Sequence, residues 1–162
     1  MILKLKIILL LNLQIQSQHV ESFLNSHGIR ARVEVVNLSE PLILGNQLTY
    51  FYKLRQVFKR KKNEHIHVFT EPFLDASFEE NMLGLAVQSE KISFSTWNEA
   101  NSKGEPRTLH SWQIFAHEVG HQLKLKHTKG CKDLMDEDLG RCPNIAELSF
   151  SKKQRSLTNR RK

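Results

Sequence analysis

Residues 117–127 read HEVGHQLKLKH, and this stretch constrains the chain more than any other. Around it Leu109, Trp112, Ile114, Phe115, Val119 and Leu123 recur at helical spacing, which predicts a long amphipathic helix through the motif. Four residues at about 100° each bring His121 back to within about 40° of His117, one turn further on. Two imidazoles can then meet one ion. Glu118, one residue round the helix from His117, can reach a water at that ion without ligating it. A surface ion-pair pattern is the bland alternative, and the apolar neighbours count against it. His127 lies six residues after His121, a rise of about 9 Å on an unbroken helix, so it joins them only if the chain turns back. With that turn, three neutral histidines leave one tetrahedral position open, the arrangement of a catalytic zinc site. Zinc there lowers the pKa of a bound water towards about 7 and polarises a scissile carbonyl, and Glu118 takes and returns the proton.

The rest of the chain must build a scaffold around that helix. At 162 residues, 40% hydrophobic and 25% charged, it has the makeup of one globular domain with a sizeable core. Residues 1–16, MILKLKIILLLNLQIQ, read either as a buried parallel strand or as the charged start and apolar core of a signal peptide. The small-x-small cleavage pattern is missing around Ser17, so the strand is expected. A strand implies a cytoplasmic protein and a removed leader an exported one. Residues 18–27 carry Val20, Phe23 and Leu24 at helical spacing, with Gly28 placed as a left-handed cap. In residues 29–38, Ile29, Ala31, Val33 and Val35 alternate with Arg30, Arg32 and Glu34, a strand pattern that completes a right-handed parallel unit.

A second helix is expected over 48–62, from Tyr50, Phe51, Leu54, Val57 and Phe58, ending in Lys59-Arg60-Lys61-Lys62. That basic end reads as solvated, against a nucleic-acid or membrane patch. Residues 65–70 form a strand that places His65 and His67 on one face, as surface or packing histidines rather than a metal pair. Residues 84–96 read as two short strands joined at Ser89-Glu90, or one bent strand, and 98–106 as a polar loop. The expected class is α/β (α+β): a mixed, mostly parallel twisted sheet backed by helices, with the zinc helix below it.

Residues 117–127, with Met135 following in Asp133-Leu134-Met135-Asp136, resemble the extended zinc signature of the metzincin metallopeptidases, with a short Met-turn of matrixin or archaemetzincin type. The match is specific over 115–136. It implies one catalytic zinc ion on His117, His121 and His127, Glu118 as catalytic base and Met135 beneath the site. It also implies one domain over 1–162, with an N-terminal part to residue 127 and a small C-terminal part from 128. Upstream the resemblance is architectural, with Gly84, Leu85 and Ala86 as the edge strand that binds substrate. Downstream, residues 148–157, with Ser151 as N-cap, resemble the family's C-terminal helix. The family has glycine where this chain has Lys124, at a left-handed bend that costs a lysine about 1 kcal/mol or more. No tyrosine follows Met135, so the additional ligand of astacin-like members has no counterpart.

Cys131 and Cys142 bracket Met135 and can form one bridge, a dithiol or two metal ligands. A closed zinc site needs further ligands, so a loop-pinning disulfide is expected, with a cytosolic dithiol as the alternative. The expected function is zinc-dependent hydrolysis of peptide bonds by a monomer acting on peptide or protein substrates. No nucleic-acid fold motif is recognisable, and no run of about 18 apolar residues could span a membrane. Lys plus Arg number 24 against 17 Asp plus Glu. That excess leaves an alternative: a non-catalytic, zinc-binding metzincin-like protein that docks an acidic partner. A mechanistic alternative replaces His127 with a downstream carboxylate, Glu137 or Glu147.

Overall fold

A computed structural model describes residues 2–9, 15–37, 61, 63–70, 84–96 and 111–160. The helix expected over 48–62, residue 61 apart, and the loop over 98–106 lie outside them. The elements are β1 (Leu3–Leu9), α1 (Ser17–Ser26), β2 (Ala31–Asn37), β3 (Glu64–Thr70), β4 (Gly84–Val87), β5 (Ile92–Thr96) and α2 (Ser111–Gln122). Short 3-10 turns at Leu139–Arg141 and Ile145–Glu147 then lead to α3 (Lys152–Arg160).

The strands form one sheet in the order β2-β1-β3-β5-β4. β1 pairs in parallel with β2 and β3, β3 in parallel with β5, and only β4 runs antiparallel. The N-terminal apolar run is thus a central strand, and its removal would part β2 from β3. From Ile7 to Leu9 it is buried on both faces, as an interior parallel strand requires, while Lys4 is exposed and Lys6 half-buried. Lys6 is tolerated there because its ammonium group lies 3.8 Å from Glu34, its register partner on β2, and 3.5 Å from Glu64 at the start of β3.

Alternation along the strands separates two faces. Leu3, Leu5, Ile7 and Leu9 share one contiguous core with Val20 and Leu24 of α1, Phe115 and Val119 of α2, and Leu134, Met135 and Phe150 beyond it. Ile8, Ile66, Val68, Ile92 and Phe94 are register neighbours buried on the other face. α1 ends as its sequence predicts: Gly28 takes a φ of 84°, and the N–H groups of Gly28 and Ile29 return to the Asn25 and Leu24 carbonyls, both at 2.9 Å.

Against α2 the sheet presents small and polar residues. Gly84 pairs with Ser95 and Ala86 with Ser93, so a row of small side chains lets α2 approach β4 and β5 closely. Within that row His67 is fully buried, its Nδ1 2.7 Å from Ser93 Oγ and its Nε2 2.9 Å from Ser95 Oγ. The rings of Phe69 and Phe115 close over it edge-on. His65 Nδ1 lies 2.8 Å from Gln122 Oε1, and the Gln122 amide donates to the Ile66 carbonyl at 2.9 Å and to Ser93 Oγ. Both histidines are packing residues, buried with hydrogen-bond partners as desolvated polar groups require. Burial pushes the His67 pKa down to about 3.

The stretch 84–96 is two strands joined by a turn over 88–91, which contains Ser89-Glu90 as expected and has Lys91 at a φ of 53°. One boundary differs from expectation. The last helix starts at Lys152, not at 148, because the Ser149 carbonyl accepts from Leu134 N–H at 3.2 Å and holds that segment extended. Ser151 is the N-cap as expected: its Oγ accepts from Gln154 N–H at 3.3 Å, and Gln154 Oε1 accepts from Ser151 N–H at 2.8 Å, a capping box. Among the described residues no helix is long and apolar enough to cross a membrane.

Candidate metal centre

α2 is buried along most of its length, and the gap at its one glycine, Gly120, is decisive for what lies beneath. A Cβ on Gly120 would strike Met135 Sδ and lie 2.9 Å from Phe150 Cε1. The missing side chain lets Met135, itself fully buried, pack directly under the helix between the two motif histidines. The helix ends just beyond. Lys124 N–H returns to the His121 carbonyl at 2.8 Å and Leu125 N–H to the Gly120 carbonyl at 3.0 Å, a Schellman motif with Lys124 at its left-handed position, φ 62°. The bend keeps its geometry although the residue is lysine, because burial of Leu123 and Leu125 on either side holds it. Lys124→Gly is therefore expected to raise unfolding stability by about 1 kcal/mol, read from urea denaturation, with zinc affinity unchanged.

The reversed chain brings His127 back to the helix. The Nε2 atoms lie 3.0 Å apart for His117 and His121, 2.8 Å for His121 and His127, and 3.3 Å for His117 and His127. His117 Nδ1 donates to the Leu134 carbonyl at 2.7 Å and His121 Nδ1 to the Leu125 carbonyl at 3.2 Å. A carbonyl oxygen only accepts, so in each neutral ring the proton is on Nδ1 and the Nε2 lone pair faces inward. Burial, with the neighbouring His121, pushes the His117 pKa down to about 4, and burial also lowers that of His121. Lone pairs converging at such distances repel one another unless a cation lies among them. Donors about 2.0–2.1 Å from one tetrahedral zinc would stand about 3.3 Å apart, close to the observed separations, so the donor set fits the ion.

Glu118 is buried beside this cluster, and burial raises its pKa to about 8. Its carboxyl group rests against the backbone of β4. A Cβ built on Gly84 would lie 2.5 Å from Glu118 Oε1, 2.7 Å from Cγ and 2.8 Å from Cδ. Gly84→Ala must therefore displace the Glu118 side chain. The expected result is a loss of about 1–3 kcal/mol in unfolding stability at unchanged zinc content, read from urea denaturation.

The cluster opens into a cleft of about 530 Å³. Gly84, Leu85 and Ala86 form one wall, residues 136–141 the other, and Ile114, His117, Glu118 and His121 lie between. β4 has the sheet edge among the described strands. Cys131 and Cys142 are joined by a disulfide that ties the ends of the second wall. Asp136 sits near that bridge, but its carboxylate already accepts from Cys131 N–H at 2.7 Å and Asp138 N–H at 2.9 Å. Of the carboxylates considered as third ligand, Glu137 pairs with Lys129 at 2.9 Å and Glu147 is exposed. His127 is the residue that joins His117 and His121.

Asp133 and Asp136 escaped the sequence reading as builders of this loop. Their signal was local: an aspartate whose carboxylate caps the backbone N–H two residues on is a turn former, and both do so, to Met135 and Asp138. Gln122, which ties the helix to the sheet, gave no comparable signal.

Solved structures share this architecture. Archaemetzincin from Methanopyrus kandleri matches at a TM-score of 0.64 and 12% identity, over 98% of this chain and 94% of its own. The fold is metzincin-like. A zinc-dependent peptidase from Methanocorpusculum labreanum matches at 0.60 and 14% identity, over 96% of this chain and 100% of its own. Archaemetzincin from Archaeoglobus fulgidus, complexed with malonate, matches at 0.53 and 17% identity, over 95% and 99%. No protein-family model and no curated protein matches the sequence. On this metzincin-like fold the three motif histidines converge at one point, and Glu118 lies beside them.

Proposed function

We propose that the chain is a zinc-dependent metallopeptidase. The observation that carries this reading is the convergence of the His117, His121 and His127 Nε2 atoms within 3.3 Å, beside buried Glu118, in a cleft walled by an edge strand. The metzincin-like fold, shared with the zinc-dependent peptidase from Methanocorpusculum labreanum, supports it. His117, His121 and His127 are the zinc ligands, and the Leu134 and Leu125 carbonyls hold the first two in the ligating tautomer. Zinc, when bound, supplies the Lewis acidity that activates water and polarises a peptide carbonyl. Glu118 is the general base: it takes the water's proton and passes it to the leaving amine.

The substrate peptide lies extended along β4, with Gly84, Leu85 and Ala86 offering main-chain hydrogen bonds at the sheet edge. Met135 forms the Met-turn floor under the metal. The chain acts as a monomer on peptides or proteins.

A quenched-peptide library tests the reading. Zinc-loaded protein is expected to cleave members of the library, to stop when the metal is chelated and to resume when zinc is restored. A protein that holds one zinc yet cleaves nothing would contradict the peptidase reading and favour zinc binding without catalysis.

A further inference from the structure

One buried carboxylate outside the motif lies at the junction of three segments beyond α2: the one that follows His127, the one that carries Met135, and α3. Asp133 Oδ1 accepts three hydrogen bonds: from Thr128 Oγ1 at 2.8 Å, from Met135 N–H at 2.9 Å and from Gln154 Nε2 at 3.1 Å. Thr128 directly follows His127. Met135 directly follows Leu134, whose carbonyl orients His117. Gln154 belongs to α3, where the capping box with Ser151 fixes it in turn. Closing a turn would need only the Met135 bond.

The Gln154 bond ties α3 to this loop, and the Thr128 bond reinforces a backbone pairing between the other two segments. Thr128 N–H donates to the Met135 carbonyl at 2.8 Å, and Glu137 N–H to the Thr128 carbonyl at 3.1 Å, so the two segments run side by side with Asp133 at their head. The buried oxygen is fully engaged, and removing it would leave the Met135 N–H and the Gln154 amide, both on buried residues, without this acceptor. A ligand and another ligand's orienting carbonyl thus share one anchor.

We propose that Asp133 is a positioning residue of the metal centre, fixing His127 relative to the Leu134 carbonyl that orients His117. This rests on the zinc site assigned above. Asp133 touches neither substrate nor metal in this account. Its effect is on how well the three nitrogens are preorganised for the ion, so it is read in metal affinity before it is read in turnover.

Zinc affinity by competition with a chromophoric chelator, on the full chain, tests it. Asp133→Ala is expected to weaken zinc binding about 10- to 100-fold. Asp133→Asn is expected to stay close to wild type, because all three bonds end on Oδ1 and asparagine supplies the same carbonyl acceptor. Thr128→Val, which removes one bond with little change in shape, covers the case in which Asp133→Ala fails to fold, and is expected to weaken binding by a smaller factor. Wild-type affinity in Asp133→Ala, or in Thr128→Val when the alanine variant does not fold, would overturn the proposal. So would an asparagine variant as weak as the alanine one. If the wild type itself binds no zinc, the metal centre is wrong and the proposal falls with it, an outcome distinct from the others.

Discussion

Glu118→Ala is expected to lower peptide cleavage by about 100- to 10,000-fold while leaving zinc bound at one ion per chain. The two halves of that result follow from different parts of the structure. The nitrogens of His117, His121 and His127 converge without help from Glu118, and the two hydrogen bonds that orient His117 and His121 come from the Leu134 and Leu125 carbonyls. Removal of the carboxylate leaves those intact. Among the described residues the other cleft carboxylates are engaged elsewhere: Asp136 by two backbone N–H groups, Glu137 by Lys129, and Asp138 by Arg141 at 3.9 Å. Zinc content by atomic absorption and library cleavage, measured on both proteins, check the prediction. Parallel loss of zinc and activity would make Glu118 a ligand or a structural residue.

Acidification is expected to destabilise the fold through His67. In the unfolded chain this histidine takes up a proton near pH 6.5, whereas in the fold burial holds its pKa at about 3. Between those values the unfolded state binds more protons than the folded one, so stability is full above about pH 6.5 and falls as pH drops towards 3. The fully developed loss is on the order of 5 kcal/mol, a large share of the total stability of a domain. Among the described residues the ring's two nitrogens face Ser93 and Ser95, and Phe69 and Phe115 meet it edge-on. Urea denaturation from pH 7 to pH 4 should therefore give a stability slope that is shallower in His67→Gln than in wild type, by up to about 1.4 kcal/mol per pH unit. Equal slopes in the two proteins would remove His67 from the acid response.

Much of this was readable in the residues because strong local rules coincide with the fold. The helical spacing of Ile114, Phe115, Val119 and Leu123 set the zinc helix, and the four-residue offset of His117 and His121 put both on one side of it. The alternation of Val33 and Val35 with Arg32 and Glu34 gave β2. Lys124 was legible as a point of stress, and the stress is there at a φ of 62°, but the buried leucines that hold the bend against it are a tertiary fact. The last helix begins at Lys152 and not at 148: the start at 148 came from the family resemblance, while the pairing of Leu134 with Ser149 that keeps the segment extended joins distant parts of the chain. His67 was equally opaque. A histidine in a strand says nothing of the serines two strands' pairing will set beside it, at Ser93 and Ser95.

Gly84 shows the same division from the other side. As a glycine at a strand end it reads as an edge or a bulge, and only the packing of α2 on β4 turns it into the space that Glu118 occupies.

The central claim is that His117, His121 and His127 together hold one zinc ion. X-ray absorption at the zinc edge, on protein loaded with a single equivalent, reads that ligand set directly. The account predicts three imidazole nitrogens at about 2.0–2.1 Å with no sulfur in the coordination sphere, and loss of one imidazole in His127→Ala. Sulfur at about 2.3 Å, which would place the ion at Cys131 and Cys142, or a spectrum unchanged by His127→Ala, would contradict it.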